Sequence, residues 1–126
     1  MSKYGDSKFK NGRFFKGSME LEKLLGNELK QLVGPFYNPD VVLKLADGKM
    51  IIIEHSPTGD RKVHIGEMLQ AFEFGIKNEI GIVFVLVLDG VTDTSPTVGR
   101  EQQRLDYYAE FLRAKTCSKL SFDILV

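Results

Sequence analysis

The sequence predicts a single mixed α/β domain, a central β-sheet flanked by helices. Three observations predict it. A leucine stripe at three- and four-residue steps opens the chain's patterned part. Two apolar runs separated by Asp47-Gly48 then read as a β-hairpin. After the hairpin, helical periodicity and apolar strand-like runs alternate to the end of the sequence. The 126 residues suffice for one hydrophobic core, and 43% hydrophobic with 27% charged content is ordinary for a globular chain.

Residues 1–17 form a basic, aromatic arm. Lys3, Lys8, Lys10, Arg13 and Lys16 face a single acid, Asp6, and Tyr4, Phe9, Phe14 and Phe15 lie among them. Such an arm suits a phosphate backbone or a partner surface, and equally a solvated N-terminal tail. The domain proper is expected over 18–126. From Ser18, a candidate N-cap followed by Glu20, the residues Leu21, Leu24, Leu25, Leu29 and Leu32 predict one helix. Gly34-Pro35 ends it.

Residues 40–46 and 49–55 are the two hairpin strands, the second apolar enough to be central. Pro57 and Gly59 mark residues 56–62 as a loop. A helix follows from about Val63 to Lys77, with Ile65, Met68, Leu69, Phe72 and Ile76 on one face. Residues 80–88 are a buried strand, 89–99 a long polar loop, 100–116 a helix with Leu105, Tyr108 and Leu112 inward, and 120–126 a last strand. Strand–helix–strand connections predict parallel neighbours after the hairpin.

Lys plus Arg equals Asp plus Glu at 17 each, so no global field advertises a polyanionic partner. The single cysteine, Cys117, excludes a disulfide framework or a cysteine metal site and reads as an inert thiol. The N-terminus lacks an apolar leader core, and the longest apolar run is too short to cross a bilayer, so a cytoplasmic protein without a membrane partner is expected. Neither a phosphate-binding loop nor a dinucleotide fingerprint is present. Tyr107 and Tyr108 read as core and rim, and Arg100, Arg104, Arg113 and Lys115 with Glu101, Asp106 and Glu110 as a solvated mixed-charge face.

The hairpin gives two acids a fixed relation. With the turn at Asp47-Gly48, partner residue numbers total about 95, which brings Asp40 and Glu54 across from each other at the open end. Like charges facing across a ladder destabilise it, and a hard divalent cation removes that cost. The competing reading is an incidental strand-end acid. His55 alternates to the opposite face from Glu54, which suits packing or capping. His64 stands at the start of the second helix, as a base, a phosphate contact or a surface residue.

Pro39-Asp40, a hairpin, and Ile51-Ile52-Ile53-Glu54 resemble the PD-(D/E)XK nuclease superfamily. The stretch KGSMELEKLL is similar to the first helix of archaeal Holliday-junction resolvases within it, and Gln70 with Phe74 is similar to its Gln-x-x-x-Tyr element. The resemblance implies a restriction-endonuclease-like domain and a Mg²⁺- or Mn²⁺-dependent endonuclease hydrolysing phosphodiester bonds of DNA. It implies Asp40, Glu54 and the backbone carbonyl of His55 as metal ligands. Glu22 would be the helix-borne acid, with Glu20 and Glu28 as competitors, and Gln70 would orient substrate or water.

The sequence departs from the pattern at Ser56, where the superfamily has a lysine. Lys62 or Arg61 would supply the missing cation, better than Lys44, which sits about 13 Å along the strand from Asp40. Alternatively the metal suffices, with His55 or His64 assisting. Lys8, Lys10, Arg13, Lys16, Ser56, Arg61 and His64 would contact nucleic acid. A domain of this size implies a homodimer cutting both strands. The alternative function is an inactive nuclease-fold module that binds DNA or a partner. More distant is a doubly wound ligand-binding domain in which the two acids are incidental.

Overall fold

The computed structural model describes residues 22–57, 60–88, 94–116 and 119–126. The order is β1 (Glu22–Lys23), α1 (Gly26–Val33), β2 (Val41–Lys44), β3 (Met50–Ser56), α2 (Arg61–Asn78), β4 (Ile82–Leu88), α3 (Thr94–Thr116) and β5 (Phe122–Leu125). The strands form one mixed sheet in sequence order, β1-β2-β3-β4-β5. β1, β2 and β3 are antiparallel neighbours, while β3-β4 and β4-β5 are parallel. The α/β architecture, the hairpin and the parallel pairs agree with the sequence pattern.

The leucine stripe is divided where one helix is expected. Glu22 and Lys23 pair with Lys44 and Leu43, and the Leu24 amide donates to the Val42 carbonyl at 3.0 Å. Leu25 is extended and 64% exposed, and the helix begins only at Gly26, whose φ of 58° breaks the helical path. The strand ladder thus satisfies backbone groups that a longer helix would have used. Ser18, Glu20 and Leu21 lie outside the described residues, as do the basic arm and Cys117.

The hairpin turn holds three residues, not two. Leu45 and Lys49 close it (N–O 2.8 Å), the Gly48 amide donates to the Leu45 carbonyl, and Gly48 takes φ 91°. A type I turn followed by a left-handed residue gives this geometry. Asp47 Oδ1 also accepts the Lys49 amide at 3.0 Å. Val41 faces Ile53 and Lys44 faces Met50, so the register extends to Asp40 opposite Glu54.

Strand alternation sorts the core into two layers. Val42, Met50, Ile52, Phe84, Leu86, Phe122 and Ile124 pack with Met68, Ala71 and Phe72 of α2 and Leu105 and Ala109 of α3. Leu29, Leu32 and Val33 of α1 join the same cluster. The opposite face carries Val41, Leu43, Ile51, Ile53, Val83 and Val85, all buried.

Both later helices start earlier than the periodicity suggests. Asp60 caps α2, its Oδ1 accepting the Lys62 amide at 2.9 Å. α3 starts at Thr94, inside the stretch read as a polar loop, so only residues 89–93 of that loop precede it. On α3 the inward residues are Leu105, Ala109 and, half-buried, Leu112, whereas Tyr108 is 40% exposed. Among the described residues no helix is long and apolar enough to cross a membrane.

Candidate acidic site at the strand ends

Asp40 and Glu54 are locked together through backbone amides. The Asp40 amide donates to Glu54 Oε1 at 2.8 Å, and the His55 amide donates to Asp40 Oδ2 at 2.7 Å. Each carboxylate therefore caps the other strand just where the β2–β3 ladder ends. A strand residue's N–H and C=O project to the same side, so the His55 carbonyl also faces the Asp40 edge. Asp40 itself is exposed, while Glu54 is 6% exposed on the helix-covered face.

A third acid, Glu67, completes the cluster. It lies on α2, two turns after the Asp60 cap, and shares a hydrogen bond with Glu54. Burial pushes the Glu54 carboxyl up to about 7, with Asp40 and Glu67 adding to the rise and the Asp40 amide opposing it. Burial also raises Glu67, as does Asp40, whereas His64 and the Glu54 hydrogen bond pull it down. Burial raises the Tyr37 phenol well above its ordinary value, and Glu54, Glu67 and Asp40 raise it further. Its hydroxyl is buried without a hydrogen-bond partner, and its ring packs on Phe74 with centroids 5.9 Å apart. Neither Glu67 nor Tyr37 stood out in the sequence. Glu67 lies within GEMLQAFEF thirteen residues after Glu54, and the packing of α2 on the sheet places it beside the strand end.

Other expected site residues lie elsewhere. Glu22 is on β1, not on a helix, and pairs with Lys44 at the far end of β2, about 13 Å along the strand from Asp40. Glu28 is on the exposed side of α1. His64 is fully buried rather than available to phosphate: capping by Asp60 turns it inward with Met68 and Ala71. Its Nδ1 pairs with Glu101 Oε2 at 2.6 Å, and Glu101 also binds Arg104. Ser56 is 1% exposed on the same face as Glu54, so its side chain is inside and offers no surface contact. Arg61 and Lys62 are exposed in the first turn of α2, and among the described residues no lysine or arginine is a main charge acting on Glu54 or Glu67. Gln70 is exposed and lines a groove of about 300 Å³ with Tyr37, Leu32, Leu69, Glu73 and Phe74. Lys8, Lys10, Arg13 and Lys16 are outside the described residues.

Among the described residues no three His, Cys, Asp or Glu side chains form a ready-made metal cage. The donors at Asp40 and Glu54 are nonetheless all oxygen, each carboxylate keeps a second oxygen beyond its amide bond, and an unpartnered phenol stands beside them. That set fits a hard cation of the Mg²⁺ class, which takes one or two carboxylates and retains waters, better than a four-ligand Zn²⁺ site.

Compared with protein-family models, curated proteins and solved structures, the chain shows no significant match to any.

Proposed function

We propose that this chain is a metal-dependent DNA endonuclease with a restriction-endonuclease-like fold. The observation that carries the reading is the reciprocal Asp40–Glu54 clasp with Glu67 beside it. Glu54 is buried, Glu67 half-buried and Asp40 exposed beside them, and the hydrogen bond between Glu54 and Glu67 offsets part of their repulsion. A divalent cation offsets it more effectively, because the acids can then all ionise.

Asp40, Glu54 and the His55 carbonyl would hold Mg²⁺ or Mn²⁺. Such an ion, when bound, activates water and stabilises charge on a phosphoryl group. The protein's own part is geometric. The amide bonds fix both carboxylates at the strand ends, so neither must be ordered when substrate arrives. The proton that Glu54 gives up would pass to solvent, leaving Glu67 as a carboxylate beside the ligands. Lys62 and Arg61, exposed at the start of α2, contact the phosphate, and Gln70 orients substrate along the groove. DNA is the partner, and a homodimer supplies one such site for each strand.

The test is incubation with supercoiled plasmid and with branched DNA in Mg²⁺, in Mn²⁺ and in EDTA, beside Asp40→Ala. Metal-dependent cutting that Asp40→Ala abolishes supports the reading. Cutting that survives EDTA or Asp40→Ala overturns it.

A second reading has its own observation. Ser56 occupies the place of the superfamily's lysine, and it is buried and uncharged. An inactive nuclease-fold module that binds DNA or a partner accounts for that substitution. Binding of DNA without cutting in any metal is its signature.

A further inference from the structure

The outer face of α3 carries the described residues' densest group of exposed aromatic rings. Tyr107 is 68% exposed, Phe111 52% and Tyr108 40%. The two tyrosine rings meet edge to face with centroids 5.2 Å apart, leaving ring faces open to solvent. Tyr107 and Phe111 are one turn apart, so they stand on one line along the helix, ~6 Å apart in rise. Exposed rings grouped in this way are uncommon on a surface with nothing to bind.

The charges around the rings are sorted by sign. At 100° per residue, Arg100 lies close to the Tyr107–Phe111 line, and Arg104 and Lys115 flank it on the Tyr108 side. Lys115 Nζ sits over the Phe111 ring, 5.8 Å from its centroid. The acids are elsewhere. Glu101 is buried against His64 and Arg104, Asp106 lies further round the helix with Gln102 on its carboxylate, and Glu110 is bridged by Arg113.

We propose that this face of α3 binds single-stranded nucleic acid, its bases stacking on Tyr107, Tyr108 and Phe111 and its phosphates meeting Arg100 and Lys115. Stacking platforms bordered by cations bind single strands with little regard to sequence, since every base offers a π-face. Charge disfavours the symmetric pairing of this face with a second copy. A two-fold antiparallel helix pair centred between Tyr107 and Tyr108 sets Arg100 of one copy opposite Lys115 of the other. The inference shares the ligand class of the nuclease reading but requires neither metal nor cleavage.

The test is fluorescence anisotropy of labelled oligothymidine, with an oligouridine arm, on the full chain in EDTA. Nothing in that measurement depends on cutting, so an inactive enzyme leaves the outcome unchanged. Tyr107→Ala/Phe111→Ala is expected to bind at least about tenfold more weakly than the parent. Tyr107→Phe/Phe111→Tyr, which keeps both rings, is expected to bind like the parent. Arg100→Gln/Lys115→Gln is expected to reduce the slope of log affinity against log salt by about 0.7 per cation removed. Circular dichroism confirms that each variant folds. The proposal is overturned if the parent does not bind, or if the double alanine variant binds as the parent does. It is also overturned if sedimentation shows a parent dimer that the alanine pair abolishes, because the face is then a self-association surface.

Discussion

The Asp40 amide and the Glu54 carboxylate meet at 2.8 Å across 14 residues of sequence, at the point where β2 and β3 stop pairing. The return bond, from the His55 amide to Asp40 Oδ2, is 2.7 Å. Together they close the strand ends with side-chain acceptors in place of further ladder bonds. The same acids are thereby structural and, on the reading above, functional, and the two roles respond differently to substitution.

Asp40→Ala removes the acceptor for the His55 amide. That bond lies at an exposed edge, so water takes the acceptor's place and the expected loss is about 1 kcal/mol. Urea unfolding measures it. A much larger loss assigns Asp40 chiefly to stability, and any loss of cutting then needs a milder variant, Asp40→Asn, to interpret.

Glu54→Gln is expected to change how stability depends on pH. The folded Glu54 carboxyl is raised from 4.5 to about 7, so the native state holds its proton more tightly than the unfolded chain does. Its contribution is therefore complete below pH 4.5 and is lost as pH rises through about 7. The shift corresponds to a cost on the order of 3 kcal/mol above that range. Glutamine cannot ionise, so the variant gains on the parent from mildly acidic to mildly alkaline pH. Urea midpoints of both proteins across that range check it, and a constant difference refutes the assignment. Added Mg²⁺ is expected to stabilise the parent at alkaline pH and to leave Glu54→Gln unaffected.

Glu101→Ala is expected to be among the most damaging single changes. It leaves His64, fully buried, without its carboxylate at 2.6 Å, and it frees Arg104. Removing Glu101 strips the buried His64 ring and Arg104 of their acceptor, and leaving buried donors unsatisfied costs about 1–3 kcal/mol. Replacing both His64 and Glu101 with leucine is expected to recover much of that loss. Thermal or urea unfolding of the single and paired variants reads the difference.

Gly75→Ala is expected to destabilise the contact between α2 and β4. A Cβ there falls 2.7 Å from Ile82 Cγ1 and 3.0 Å from the Ile80 carbonyl oxygen. Overpacking of this kind costs about 1–3 kcal/mol. A shift of the urea midpoint checks it, and no shift means that Ile82 turns aside freely.

The sheet was legible because its signals are local. Asp47-Gly48 marks the hairpin, and β-branched runs mark β2, β3 and β4, so the facing of Asp40 and Glu54 followed from turn arithmetic. The leucine stripe misled, because Leu24 belongs to an edge-strand extension and Leu25 to solvent, and periodicity does not see ladder bonds. Helix starts were late by two residues at Arg61 and by six at Thr94, which hid the inward turn of His64. Glu67 and Tyr37 could not be found in one dimension. Their significance lies in sharing a buried field with Glu54, and only packing creates that field. The sequence predicts core and rim for Tyr107 and Tyr108, because aromatic residues usually pack so, and a mixed face for the charges near them. The structure exposes the rings and draws the acids to Arg113, Gln102 and the buried His64.

The strand order carries a last consequence. Each strand pairs with its immediate predecessor in sequence, from β1 through β5. As the chain leaves the ribosome, every new strand therefore finds its template edge already formed. Among the described residues no strand waits for a distant partner, and no gap is held open in the middle of the sheet. Assembly can proceed in the direction of synthesis, which shortens the time for which an apolar edge is unpaired and open to aggregation.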